Sequence, residues 1–321
     1  MKSTIITISI FFCGLSVFSQ QIKTEDFEIL KEKEDSMQLH AIKLIQGINS
    51  SDRFTADSIF TKMFVRSLKI KNSFYYPYDS LYTISKLYAP DSSFRIYTWQ
   101  LIINEDIVRQ HGAIHIKTDD GSLKLIPLID KSDNIQKIMD TIGNNFAWIG
   151  TVYYNIVLNS FEDKKYYTLL GYDEYNIRST RKFIEVMHFE NGVPIFGGNF
   201  FDFNKDSLMP KNPARFVYEF KKEAGPRLRF DDEMNMIIME HLISESNEPK
   251  KKWTLIGDGD YEGFKWENGK WKYIAKVFNE VTPEGKAPTP TPIRDDKGNI
   301  NDSKLKGRES DLKPAVKKNQ H

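Results

Sequence analysis

Cysteine is almost absent. The single cysteine of this 321-residue sequence, Cys13, lies in an apolar run near the N-terminus. The chain beyond residue 20 therefore has no disulfides, thiol nucleophiles or thiolate ligands, and its stability must come from a packed core. Charge of one sign is also lacking: 45 Lys and Arg face 44 Asp and Glu. No basic stripe is interleaved with aromatics, which argues against nucleic acid as a partner. Past the N-terminus no apolar run approaches the roughly 20 residues of a membrane-spanning helix, so the mature chain is expected to have no transmembrane segment. Serine nucleophile elbows, Walker loops and glycine-rich phosphate cradles are missing as well, and no cofactor is expected.

The N-terminus carries an export pattern. Lys2 precedes apolar residues 5–18, and Ser19 and Gln20 follow. This predicts a secretory signal peptide over residues 1–19, since a run of about 14 residues is short for a bilayer. Phe12 stands before Cys13 where a lipoprotein signal has a small residue. A cleaved, unlipidated protein, periplasmic or secreted, is the expectation. The remaining length of about 300 residues suits one large domain or two small ones.

Residues 24–72 read as a helical hairpin. Leu30, Met37, Ala41, Leu44, Ile45 and Ile48 form one stripe, and Ala56, Ile59, Phe60, Met63, Phe64 and Leu68 another. Asn49, Ser50, Ser51 and Asp52 supply the break and a new N-cap. So short a loop predicts an antiparallel pair covering one face of a sheet.

Residues 81–280 read as an antiparallel β domain packed with that hairpin. Its centre is residues 144–201. There Phe146, Trp148, Gly150, Val152, Tyr154, Ile156 and Leu158 alternate with Ala147, Ile149, Tyr153 and Val157. Both faces are apolar, so the strand must be covered on both sides. Residues 166–172 and 181–189 continue the pattern, with reversals at Glu162-Asp163 and at Asn191-Gly192, the latter suited to a type I′ turn. Further strands are expected over 84–88, 94–99, 111–117, 123–128, 215–220, 227–230, 234–242, 253–256, 261–267 and 271–277, with one short helix at 134–142. Hairpin after hairpin with few crossover helices gives an α+β fold dominated by antiparallel β-meander. A β-propeller-like arrangement is the alternative, suggested by Ala89-Pro90-Asp91 before a strand ending in Trp99. From residue 283 the composition turns to proline, threonine and scattered charge, and residues 283–321 are expected to form a disordered tail.

Several residues invite a chemical reading. His111 and His115 are four apart, but Gly112 and β-branched neighbours favour a strand, where that spacing is about 13 Å and cannot chelate one metal. Asp258, Asp260, Glu262 and Gly263 occupy the right positions of a calcium loop, yet Gly269 stands where a bidentate Glu is needed. As a dinucleotide fingerprint, the third glycine of residues 257–263 is one position late and a strand follows it. A tight acidic turn is the plainer reading, and no metal site is expected. Among carboxylates, Glu185 shares a strand face with Phe183, Met187 and Phe189. Burial would raise its pKa and suit a general acid, with Glu219 as partner. The competing reading pairs Glu185 with an arginine such as Arg181 or Arg229. Asp173 and Glu174 close a strand, and His188 and His241 read as core-edge histidines.

The segments containing Trp148, Gly150, Tyr153 and Tyr154, then Tyr166, Tyr167, Gly171, Tyr172 and Asp173, then Phe189, Asn191, Gly192, Pro194, Phe196 and Gly197, then Arg227, Arg229, Phe230, Asp231 and Met234, and finally Gly263, Trp266, Asn268, Gly269 and Trp271 together resemble a family of exported, uncharacterised proteins of the Bacteroidetes. The resemblance spans residues 24–277. It implies compartment and fold, and brings no activity. Two functions are consistent with these patterns. One is a non-catalytic binding or structural component of the bacterial envelope, whose partner is a glycan, a peptide or another envelope component. The other is a carboxylate-dependent hydrolase of polysaccharide or peptidoglycan.

Overall fold

The computed structural model describes residues 22–104, 106–203 and 212–278. The expected signal peptide of residues 1–19 and the expected tail from residue 283 lie outside the described residues. Two helices, α1 (Thr24–Gln46) and α2 (Ser50–Leu68), come first. Strands β1 (Ser85–Tyr88), β2 (Phe94–Ile102), β3 (Val108–Ile116) and β4 (Lys124–Leu128) form a four-stranded antiparallel meander. A second sheet contains β5 (Gly143–Asn144), β6 (Val152–Phe161), β7 (Lys164–Asp173), β8 (Ser179–Glu190) and β9 (Val193–Phe196) in the order β5-β9-β8-β7-β6. The chain then crosses at β10 (Phe201–Asp202) to a third sheet, and returns to the second at β11 (Phe216–Lys221), which pairs with β8. The third sheet is completed by β12 (Leu228–Asp231), β13 (Met236–Ser244), β14 (Leu255–Glu267) and β15 (Lys270–Ile274), in the order β10-β15-β14-β13-β12.

Strand alternation assigns the side chains to layers. On β2, Tyr97 and Trp99 pack with Leu30, Leu44, Phe60 and Phe64 of the helices, whereas Phe94 and Ile96 face the second sheet at Tyr153, Leu169 and Met187. On β7 and β8, Leu170, Ile184 and Val186 turn the other way, onto Ile237, Met239, Phe264 and Trp271 of the third sheet. Three apolar interfaces thus separate the helical pair and the three sheets. Each large side chain buried there contributes about 1.5–3 kcal/mol. The fold is α+β and mainly antiparallel, with the helical pair on the first sheet. The sheets stack face to face through these interfaces and do not form the radial blades of the propeller-like alternative.

Three hairpins close on two residues that both have positive φ: Glu162 (48°) and Asp163 (59°), Asn191 (51°) and Gly192 (80°), Asn268 (52°) and Gly269 (75°). This is the type I′ geometry that matches strand twist. Gly269 has a second reason to be glycine, since a Cβ there would come 2.6 Å from Phe161 Cδ1.

Three local expectations are corrected. Residues 134–142 form no helix but isolated 3-10 turns, Ser132–Asn134 and Ile138–Asp140. The Ile138 carbonyl, which a helix would bond to residue 142, accepts from Arg215 Nη1 instead, and Met139 O and Thr141 O accept from Ala214 N–H and Arg215 Nη1. The acidic stretch 257–263 is not a tight turn. It runs within β14, and the register slips where Gly257 and Tyr261 face Leu242 and Glu240, leaving three residues opposite one. Finally, β6 starts at Val152 and leaves Phe146 66% exposed. A bulge between Tyr153 and Asn155 resets the alternation, so Tyr153 joins Ile156 in the core and Tyr154 points away.

Candidate functional site

The start of β3, the strap of residues 132–138 and the β7–β8 connection converge on a cavity of about 440 Å³. Its polar wall includes Arg109, Gln110, Asp133, Gln136, Asp173 and Arg181, and its apolar wall includes Ile135, Ile138, Ile149 and Phe183. The strap is fixed at its base by Asp130. Asp130 Oδ1 accepts from Ser132 N–H (2.9 Å), Ser132 Oγ (2.6 Å) and Gly150 N–H (3.1 Å), and Oδ2 accepts from Gln110 N–H (3.2 Å). Only glycine fits at residue 150, because a Cβ would lie 2.5 Å from the Asp130 carboxylate.

Asp173 is the central acid of this cavity. Its Oδ1 accepts from Gln110 Nε2 at 2.7 Å and from Tyr175 N–H at 3.1 Å. Its Oδ2 has no hydrogen-bond partner among the described residues. Burial pushes its pKa up to about 6, against the lowering influence of the Tyr175 N–H, Arg181 and Gln110. Arg181 lies opposite Asp173 in the β7–β8 register. Its guanidinium sits 3.1 Å from the Tyr175 ring centroid, and its Nε donates to Glu219 Oε2 at 3.0 Å. The cavity thus offers a carboxylate oxygen and a guanidinium face around one polar space, with Gln110 held against Asp173 and the Asn176 amide engaged by Arg178 N–H, Ser179 N–H and Ser179 Oγ. Arg109 and Asp133 form an ion pair at the mouth.

Glu185 does not line this cavity, nor does it meet Glu219. Both of its oxygens are occupied. Arg215 Nε donates to Oε1 at 2.6 Å, and the Tyr153 hydroxyl, itself accepting from Trp148 Nε1 at 2.8 Å, donates to Oε2 at 2.7 Å. Burial and the neighbouring Glu185 charge hold the Tyr153 phenol well above its ordinary pKa, so it stays a donor. The arginine is Arg215, not Arg181 or Arg229 as the sequence suggested: Arg181 pairs with Glu219 and Arg229 with Asp231. Glu219 also accepts from Ser179 Oγ at 2.7 Å. It faces Arg181 across the β8–β11 ladder, four residues along from Glu185 and hence about 13 Å away. These two acids serve as partners of arginines on one sheet face.

The remaining candidates are dispersed. His111 stacks on Trp99 at 5.5 Å and approaches Asp57, while His115 is buried beside Phe74 with its pKa lowered to about 4 by burial and Arg95. Both lie on strand β3. In β14, Asp258 pairs with His241 at 2.8 Å, Asp260 N–H returns to Asp258 Oδ1, and Glu262 accepts from Tyr273. Among the described residues no three His, Cys, Asp or Glu side chains gather closely enough to hold a metal ion. His188 meets Glu190 at 3.0 Å and packs beside Tyr166.

Sequence reading noted Asp173 only as a strand terminus, and did not connect it with Gln110 or Asn176. The one available signal was an acid closing an apolar strand opposite an arginine in a short hairpin. No protein-family model, no curated protein and no solved structure matches the chain. Fold and site therefore define it by themselves: a layered, mainly antiparallel α+β protein with a polar cavity between its first two sheets. No helix of the described residues is long and apolar enough to cross a membrane.

Proposed function

We propose that this is an exported, non-catalytic binding component of the bacterial envelope whose ligand is a small glycan held in the Asp173 cavity. The observation that carries this reading is the open Oδ2 of Asp173 beside the Arg181 guanidinium, with Gln110 bonded to the other carboxylate oxygen. A carboxylate oxygen beside a guanidinium supplies an acceptor and donors for the adjacent hydroxyls of a sugar. The volume falls within the roughly 300–1,000 Å³ of small-molecule sites. Export rests on the leader pattern of residues 1–19. The test is titration calorimetry of the mature chain against mono- and disaccharides, repeated with Asp173→Asn. Binding that weakens at least tenfold in the variant supports the reading, whereas no saccharide binding, or equal binding by both proteins, refutes it. Mass spectrometry of the exported chain should find it starting at residue 20 or 21.

A hydrolase is the second reading, and the raised pKa of Asp173 favours it, because an acid near 6 is poised to donate a proton. It would act with Asp133 or Asp106 of the same cavity, not with Glu185 and Glu219. Loss of turnover with retained binding in Asp173→Asn would establish this alternative. Loss of binding without any turnover would exclude it.

A further inference from the structure

Strand β11 pairs with β8 alone. The pattern of that pairing decides which main-chain groups remain free. Lys222 N–H donates to Arg178 O at 3.0 Å. The preceding pair, Lys221 and Ser179, exchanges no bond, because Ser179 N–H goes to Asn176 Oδ1 and Ser179 O accepts from Asn176 N–H. Hydrogen-bonded and non-hydrogen-bonded pairs alternate along an antiparallel ladder. Phe216, Tyr218 and Phe220 therefore bond to β8, and Val217 and Glu219 turn their N–H and C=O groups to the opposite edge. Neither N–H has a partner among the described residues. Both residues line a groove of about 890 Å³, separate from the Asp173 carboxylate and walled on its far side by the third sheet.

We propose that this edge is a second binding site, which takes an extended peptide segment of a partner protein as an added β-strand. Unpaired main-chain groups on every second residue recur at about 6.6–6.8 Å, the repeat of a strand in β conformation, which a sugar does not present. The occupant's side chains follow from the walls. Leu242 forms an apolar floor for one residue. On the rim the cations Lys137, Arg181 and Lys252 stand with the acids Asp140, Glu219 and Glu262, so no net charge selects the occupant's flanking residues. Glu219 adds no free charge, because Arg181 neutralises it.

Val217→Pro is the diagnostic change. It removes an N–H that faces the groove and takes no part in the β8 ladder, a position where an edge strand tolerates proline. A phage-displayed library of random decapeptides is panned on the full exported chain, and the selected peptides are measured by calorimetry with wild type and variant. At least tenfold weaker binding to Val217→Pro is expected. Equal binding, or no peptide retained by the wild type, overturns the proposal. Amide hydrogen exchange on the wild type provides a check that needs no variant. In the free chain Val217 and Glu219 should exchange faster than Phe216, Tyr218 and Phe220, and saturating peptide should protect both. Slow exchange of Val217 and Glu219 in the free chain would mean that a second copy or the chain itself already fills the edge, and would also overturn it.

Discussion

Replacing Glu185 with glutamine keeps the shape of the side chain and removes its charge, so the cost reports on Arg215. In the wild type, Arg215 is 0% exposed and Glu185 1% exposed, and they meet at 2.6 Å. In Glu185→Gln the guanidinium stays buried. It is left with the carbonyls of Ile138, at the end of the strap, and of Thr141 just beyond it as acceptors, and its Nη2 already has no partner among the described residues. Leaving one member of a buried ion pair uncompensated costs about 3–5 kcal/mol. For a domain of this size 1 kcal/mol moves the melting temperature by about 2–4 °C, so the expected fall is roughly 6–20 °C. Arg215→Met should cost a similar amount, because Glu185 then loses its cation and keeps only the Tyr153 hydroxyl. The double variant leaves no buried charge and should be less destabilised than the sum of the singles, by roughly 2–3 kcal/mol. Urea unfolding of the four proteins, followed by circular dichroism, measures this cycle. A Glu185→Gln loss under about 1 kcal/mol, or additive single effects, would refute the reasoning.

Asp173 and His115 should give opposite pH dependences. The folded pKa of Asp173, about 6, lies above its ordinary 3.8. Between these values the native state holds the extra proton, so its contribution to stability falls as pH rises from 4 to 6. Asp173→Asn should therefore match wild type near pH 3.5 and exceed it by up to about 3 kcal/mol at pH 7; a pH-independent difference would contradict the burial of this acid. His115 is the reverse case. Its folded pKa of about 4 lies below 6.5, so its contribution is present above pH 6.5 and is lost on acidification toward 4. His115→Gln should remove that acid-side loss in urea titrations at stepped pH. Gly269→Ala meets both a positive φ of 75° and the Phe161 ring, and should lose more than about 1 kcal/mol while keeping its circular-dichroism spectrum.

Much of the fold was legible because its local rules do not compete. The turns at Glu162-Asp163 and Asn191-Gly192 needed only positive φ, and the stripes of the two helices needed only their periods. Legibility failed where a tertiary partner overrode the local pattern. The 134–142 segment has residues that permit a helix, but Arg215 and Ala214 take its carbonyls. The acidic run of β14 looks like a turn, yet β13 carries it as a three-residue bulge, with His241 pairing Asp258. Alternation along β6 was read straight through Tyr154, where a bulge reverses it. The site was harder still. Gln110, Asp173 and the strap come from separate parts of the sequence, and only the stacking of the first two sheets brings them together. Glu185 was singled out as an acid on an apolar strand face, but its partner is set by the return of the chain at β11, and no period encodes that return.

That return ties the buried ion pair to both the Asp173 cavity and the β11 groove. Strand β8 is long enough for β9 to pair with residues 187–190 and for β11 to pair with residues 179–184 on the same edge. The junction between these two partners lies at residues 185–186. There Gly197 N–H bonds Val186 O, and Gly197, with φ of 88°, would bring a Cβ within 3.0 Å of Ala214 O. Arg215 occupies this junction, pairs with Glu185 beneath it and donates outward to Ile138 at the end of the strap and to Thr141 just beyond it. The strap in turn supplies Gln136 and Ile138 to the walls of both the Asp173 cavity and the β11 groove, and Arg181 lines both as well. A buried pair gains little net stability over an apolar one. Its role here is positional: an apolar residue at 215 would leave those carbonyls without a donor, and the wall common to the cavity and the groove would lose its anchor.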